Sequence, residues 1–490
     1  MSVVYFTIVL GVPVAGSIAC ALLRKRRWIE LVSIVATALT FLVALWLSSL
    51  VMGGAAIRTP KEWFFLDALS TYLLVIVTGS AFVVTLYSIG YLHRQIRRKR
   101  VNGSMLRLYY LLLNAFLATM VLVLVSNNLG FLWIGAESST LATAFLVAFY
   151  ERESSIEAAW KYVIICSVGI ALALFGIILT YFSALHSVTS VDNALNWTTL
   201  VSVGKKLDPD ILKLAFVFVL VGFGTKAGLV PFHTWKPDAY SEAPAPISAL
   251  MAAGLVNIAL YALIRFYILV TKAVGGGFAS HLFIIFGLAS MGVAVPFILL
   301  QRDFKRLLAY SSVEHVGIIV FALGLGTPLA YFGALLHMLG NTLAKLVLFM
   351  TAGEIRLAYD SKIIRRVTGA IKVIPFTSII FILGIFALTG WPPFGLFVSE
   401  VTILTAGFSS GNALASLFFI GFVATIFIGF VYYGTGMVFG EPSRHYVKRE
   451  GVSISLIVLA LLLTMLLILG TTMPTIIYDF IMRAATVIQA

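Results

Sequence analysis

Fourteen apolar stretches, most of them interrupted only by short polar connections, dominate this 490-residue chain, and a helix of roughly 20 such residues is what it takes to cross about 30 Å of hydrocarbon. Their approximate extents are residues 3–23, 28–51, 65–92, 107–126, 129–150, 157–185, 211–230, 244–270, 279–300, 306–325, 328–352, 373–407, 411–439 and 452–480. A chain with 61% hydrophobic and 11% charged residues cannot hide its apolar surface inside a water-soluble globule. Its solvent is lipid. The sequence predicts an all-α integral membrane protein of about fourteen transmembrane helices, built as one polytopic domain over residues 1–490. Within it, residues 1–106 hold spans 1–3, 107–270 a first repeat, 279–439 a second repeat, and 440–490 the last span and C-terminus.

A formal net charge of +14 raises the question of nucleic acid. The placement of the basic residues answers it. Of the 34 Lys and Arg, 23 lie in or beside odd-numbered connections and six in even-numbered ones. This asymmetry is the positive-inside pattern, which puts the odd connections in the cytoplasm and both termini on the other side. The run from Arg94 to Arg107 reads as a solvated, lipid-facing or partner-facing segment. Cys20 and Cys166 sit inside apolar segments, so neither a disulfide framework nor a thiolate metal site is expected. Met1 to Leu23 has no basic region ahead of its apolar stretch and reads as a retained first span.

Two spans are interrupted. Gly222 to Pro231 carries three Gly, a Lys and a Pro, and Thr389 to Gly395 reads TGWPPFG. Broken backbone at membrane depth is tolerated only where it faces protein or a water-filled cavity. The breaks fall in the seventh and twelfth spans, five apart, as two inverted five-helix repeats over spans 4–8 and 9–13 would give. Lys161 in the sixth span and Lys345 in the eleventh form a second echo.

Ionisable side chains inside the membrane cost at least about 2.5–3.5 kcal/mol each, so they mark function unless they snorkel or pair. Glu137 lies well inside the fifth span, Lys226 at the break of the seventh, His315 in the tenth, His337 and Lys345 in the eleventh, and Glu400 beyond the break of the twelfth. A buried Lys226 with Glu137 as a movable partner can take up and release a proton, and histidines can pass it on. Each group also has a plainer reading. Glu137 can be a structural ion pair, the histidines hydrogen-bonded interior residues, and Lys161 a snorkelling side chain near a helix start. Glu314 reads as a cap or partner near Lys305-Arg306, and Arg265 as an interfacial anchor.

The segment GFGTKAGLVPFHTWKPDAYSEAPAPISALMAAGLVNIALYALIR, from Gly222 to Arg265, resembles the antiporter-like subunits of respiratory complex I, Mrp sodium/proton antiporters and membrane-bound hydrogenases. Further stretches agree in order. They are Asp67-Ala68-Leu69-Ser70, Trp133 with Glu137, Ala159-Trp160-Lys161-Tyr162, Asp303 to Ser312 followed by His315, Lys345 before an LF pair, and Pro392-Pro393-Phe394-Gly395 followed by Glu400. The resemblance implies the inverted repeats, casts Glu137 and Lys226 as the fifth- and seventh-helix pair, and makes Glu400 the exit residue. It adds His233, in the quoted segment, to the ion-translocation set. It also implies a prokaryotic inner-membrane subunit without cofactors, working beside other antiporter-like and quinone- or hydrogenase-module subunits and moving protons or Na+.

Two positions depart from the family pattern. Asn257 stands where the family commonly has a Lys in the eighth span, and Asn341 where it often has a His ahead of the eleventh-span Lys. An Asn can hydrogen-bond water but cannot store a proton, so the central relay must differ or rest on His337 and Lys345. These departures, with Ser311 to His315 and Ser399-Glu400, look closest to energy-converting [NiFe] hydrogenases of the formate-hydrogenlyase type. The function expected is a proton-translocating subunit of a redox-driven membrane complex. An Mrp-type antiporter subunit and a non-pumping structural subunit are the alternatives, and redox catalysis by this chain alone is not expected.

Overall fold

The computed structural model describes residues 2–54, 56–185, 187–188, 193–442, 450 and 453–489. Among these residues twelve helices are long and apolar enough to cross a membrane. They are spans 1–6, 8–11, 13 and 14, and the two remaining spans are the ones the sequence marks as broken. The seventh runs as Pro209–Ala227 and resumes as Trp235–Glu242. The twelfth is split into Pro375–Leu388 and Gly395–Ser409. Each break contains a cis proline, at Val230-Pro231 and Pro392-Pro393.

Helix starts follow the local chemistry. Asp67 and Ser70 form a reciprocal capping box at the start of span 3 (Ala68–Arg97), and Thr327 with Pro328 at the first helical position opens span 11 (Pro328–Tyr359). Span 10 (Phe304–Gly324) is capped by Asp303, whose carboxylate accepts the N–H groups of Lys305 and Arg306. That leaves Glu314 without the capping role expected of it. The last span is shorter than expected, Ile454–Thr471, because Met473 turns through φ 36° ahead of Pro474. A separate helix, Thr475–Gln489, then packs against spans 3 and 11. Arg444, Lys448 and Arg449 of the final odd connection lie outside the described residues.

Spans 8 (Ala245–Val274) and 10 are wholly buried along their apolar windows and span 11 is 94% buried, against 28% for the first (Ser2–Leu22) and thirteenth (Ala413–Val438). The centre of the protein is therefore spans 8, 10 and 11. Apolar side chains such as Phe145 and Ile428 face outward from the perimeter, where the surrounding solvent is lipid. The fourth span packs on the fifth, the fifth on the sixth and the sixth on the seventh. The same order recurs from the ninth to the twelfth. Span 3 ties the first spans to the second unit, because Tyr72 and Tyr87 donate to the carbonyls of Leu335 and Met350 at 2.8 Å.

Two charged features differ from expectation. The basic run does not simply face lipid or solvent. Arg94 pairs with Glu354, Arg98 donates to the Leu357 carbonyl at 2.6 Å and Arg100 pairs with Asp360 at 2.9 Å. These cations clamp the C-terminal end of span 11, where the helix dipole favours them. Arg265 is not an interfacial anchor. It is buried and makes two 2.7 Å bonds to Asp67, with its guanidinium 4.2 Å from the Trp197 ring centroid and 4.9 Å from that of Tyr261. A guanidinium matches a carboxylate in two parallel bonds, which holds the pair rigid. Asp67→Ala should therefore destabilise the protein by about 3–5 kcal/mol, because it strands a buried cation. Thermal unfolding in detergent checks this, and a shift no larger than that of Arg100→Ala, in a far more exposed pair, would refute it.

Candidate functional site

The remaining buried ionisable groups behave differently from the Asp67–Arg265 pair: most of them rest on hydroxyls or carbonyls. Glu137, half-buried on span 5 (Leu129–Val147), accepts from the Ser167 hydroxyl at 2.7 Å, and its other oxygen is buried without a partner. Lys226, fully buried in the last turn of Pro209–Ala227, donates to Thr140 Oγ1 at 2.6 Å. Thr140 is one helical turn from Glu137 on the same span. Among the described residues no ion pair joins Glu137 to Lys226, so the expected partners are held on separate hydroxyls.

The break beyond Lys226 is closed by side chains. Gly228 takes φ +84°, and the N–H groups of Gly228 and Leu229 cap Gly224 at 2.8 Å. The Thr225 carbonyl accepts from Trp235 Nε1 at 2.9 Å and the Ala227 carbonyl from Lys236 Nζ at 2.8 Å. Lys236 also donates to the Ser312 carbonyl of span 10 at 3.2 Å. A side chain at position 228 would meet the Lys236 stem, with its Cβ 2.7 Å from Cδ and 2.9 Å from Nζ. His233, within the break, is buried against Phe297 and Tyr310 with its Nδ1 unpartnered.

On the second half, Lys345 is fully buried. It bonds Ser311 Oγ and the Leu308 carbonyl, the latter at 3.2 Å. Leu308 O also accepts from Ser312 Oγ at 3.3 Å, so span 10 carries the contacts of Lys236 and Lys345 one turn apart. Glu314, buried on that span, lies within electrostatic reach of both Lys345 and Glu400. His315 Nδ1 is 2.8 Å from His337 Nε2, and His337 Nδ1 is 2.9 Å from Ser399 Oγ, next to Glu400. The Glu400 carboxylate lies against Gly390, which turns the break at φ +66°.

Of the sequence candidates, Glu137, Lys226, His233, His315, His337, Lys345 and Glu400 all lie buried or half-buried along this central band. Lys161 does not. Its side chain is 48% exposed near the start of span 6 (Glu153–Ala184) and pairs with Glu157 at 2.5 Å and Asp238 at 3.4 Å. It snorkels, so the echo with buried Lys345 is one of sequence position only. The sequence reading missed Lys236, Glu314 and the hydroxyls. Depth inside the tenth span was the available signal for Glu314. For Lys236 there was none, because Trp235–Glu242 is too short and polar to read as buried.

The departures have defined settings. Asn257 donates to Thr342 Oγ1 at 2.8 Å and to the Ala253 carbonyl at 2.7 Å, linking spans 8 and 11 just beyond a π-helical turn at Met251–Leu255. Asn341 is buried with its side-chain oxygen unpartnered. Glu137 Oε2, His233 Nδ1, Tyr240 OH and Asn341 Oδ1 are thus four orphaned polar atoms along or beside the band. Buried polar groups are otherwise almost always satisfied, so this band can take up water or an ion. No group of three or more His, Cys, Asp or Glu residues suited to hold a metal ion occurs among the described residues.

Gly390 sets the position of Glu400. Gly390→Ala should cost at least about 1–2 kcal/mol from its left-handed backbone alone. Its methyl would also overlap the carboxylate. Gly436→Ala, with open space around it, should be close to neutral. Thermal unfolding of the two variants tests this, and equal stability would refute it.

Comparison with known proteins gives a consistent answer. The family model described as "NADH:quinone oxidoreductase/Mrp antiporter, TM" matches residues 126–428, and the one described as "NADH-Ubiquinone oxidoreductase (complex I), chain 5 N-terminus" matches residues 63–100. A hydrogenase-4 component F homolog from Methylacidiphilum infernorum is 38% identical over 367 residues, which cover 75% of this chain and 77% of the relative. Among solved structures, a chain of the membrane-bound sulfane sulfur reductase, an archaeal respiratory membrane complex, superposes with a TM-score of 0.87 at 23% identity, covering 100% of this chain and 98% of that one. A chain of the Mrp complex from Dietzia sp. gives a TM-score of 0.85 at 18% identity, covering 99% of each.

Proposed function

Because this chain belongs to the NADH:quinone oxidoreductase/Mrp antiporter membrane family, we propose that it is the proton-translocating, antiporter-like subunit of a redox-driven membrane complex of the hydrogenase and complex I type. The observation that carries the reading is the buried band of ionisable groups that passes from Glu137 on span 5 to Glu400 on span 12 and crosses both five-helix units. Glu137, Lys226, His337 and Lys345 rest on exchangeable hydroxyls, so a proton can be handed on without first breaking a strong ion pair. Groups not in direct contact exchange it through bridging water.

The roles follow from position. Glu137 and Lys226 form the input pair: when Lys226 leaves Thr140 for the unpartnered Glu137 oxygen, the approaching opposite charge favours protonation of the amine, and its withdrawal favours release. His315 and His337 pass the proton toward Ser399 and Glu400, where it leaves. The basic odd connections face the cytoplasm of a prokaryotic cell and both termini face the other side. On this reading the driving energy comes from outside the chain. Moving one charge against 100 mV costs about 2.3 kcal/mol, which neighbouring redox subunits supply. In an Mrp-type secondary antiporter a sodium gradient would supply it instead. Mass spectrometry of the intact complex separates the two, since iron-sulfur and [NiFe] subunits would accompany only the first.

In inverted membrane vesicles energised by the complex's own redox reaction, Lys226→Ala and Glu400→Gln should lower acidification at least about tenfold, the loss expected when a general acid–base group is removed. Lys161→Ala should leave it near the parent rate. Parent rates in all three variants would defeat the reading.

A further inference from the structure

We propose that Lys236 is the proton-carrying group that joins the two halves of the band, an inference that rests on the ion-translocation reading above. The argument begins with its surroundings. The side chain is fully buried, and its amine donates to the carbonyl of Ala227, next to Lys226, and to the carbonyl of Ser312 on span 10. Among the described residues no carboxylate pairs with it. Its amine lies 5.8 Å from the centroid of the Tyr240 ring, whose buried hydroxyl has no partner.

A structural role alone does not account for an amine in that place. The Ala227 carbonyl needs a donor, but a neutral one serves, as the Trp235 indole does for Thr225 two residues away. Using a lysine instead buries a charge without a counter-ion, which is strongly unfavourable unless the amine can give up its proton. An amine that alternates between charged and neutral forms while keeping its carbonyl contacts is a relay.

The position of Lys236 fits that role. One contact is the Ala227 carbonyl, beside Lys226 of the first unit. The other is on the turn of span 10 that also holds Lys345, through Leu308 O and Ser311 Oγ. Ser312 completes the link by donating to the same Leu308 carbonyl. Lys236 and Lys345 thus converge on the same stretch of span 10, where two like charges are disfavoured together. Asn257, on the neighbouring eighth span, is committed to Thr342 and Ala253 and has no titratable proton to offer. The bridge between the units therefore falls to Lys236.

The test uses the intact complex in energised inverted vesicles, with assembly checked by native gel. Lys236→Arg keeps a cation and N–H donors for both carbonyls but cannot deprotonate in a protein. It should assemble, with acidification reduced at least about tenfold, the scale of a lost proton-transfer group. Lys236→His, which can titrate, should retain more acidification than Lys236→Gln, which cannot. Parent-level acidification in Lys236→Arg, or equal rates in the His and Gln variants, would make Lys236 only a helix cap. If Lys236→Arg does not assemble, the His and Gln comparison alone decides. Lys226→Ala is run in parallel. Its loss of activity beside an active Lys236→Arg defeats only this inference, whereas activity retained in Lys226→Ala defeats the underlying reading as well.

Discussion

A helix broken in the middle of a membrane leaves carbonyls with no water to receive them, and satisfying those carbonyls organises the centre of this protein. At the seventh span the answer is chemical. Trp235 and Lys236 return from the second half-helix to cap the first, and Lys305 of span 10 donates to Ser241 and Ala243 at 3.0 and 2.6 Å to close the second. Both half-helices thus end on a buried lysine, where the helix-end dipole offsets only part of the cost of burying a charge. Because Lys305 and the Ser312 acceptor of Lys236 belong to span 10, the same bonds that repair the break also dock the two five-helix units on each other.

How much of this was legible depended on whether a feature is written in local sequence or in the contact of distant segments. Span lengths, helix starts and the two breaks are local: apolar runs, Asp67 with Ser70, the TGWPPFG interruption. Partner identity is not. Lys161 and Lys345 look equivalent in sequence, yet one lies near a helix start with water in reach while the other is enclosed by spans 8, 10 and 12. Arg265 looked like an anchor because its position near a span end is visible, whereas Asp67, 198 residues away, is not. Lys236 was invisible for a related reason. Only tertiary packing buries a short polar helix.

The positions that depart from the family pattern concern the same few cubic nanometres. Asn257 withdraws a titratable group from span 8, and its amide instead locks span 8 to span 11 through Thr342. The locking is mechanical gain at the expense of proton storage. Compensation need not come from the same span, because what the path requires is a titratable atom at a given place. On the reading proposed above, Lys236 supplies one between Ala227 and span 10.

The same residue types appear here both as fixed and as exchangeable charges, and their partners separate the two. Arg265 with Asp67, Arg94 with Glu354 and Lys362 with Glu242 are ion against ion. Breaking the buried Arg265–Asp67 pair strands a charge, so it is rigid, and the two half-buried pairs still hold each ion in its charged form. Along the band, Lys226 rests on Thr140, Lys345 on Ser311, Glu137 on Ser167 and His337 on Ser399. A hydroxyl both donates and accepts, and it turns about its own bond. It therefore stabilises either protonation state of its neighbour, where a carboxylate partner would hold an amine in one. A path built from strong ion pairs would be deep in energy and slow to leave. On the reading proposed above, one built on hydroxyls keeps successive states close enough in energy for a modest driving force to tip them.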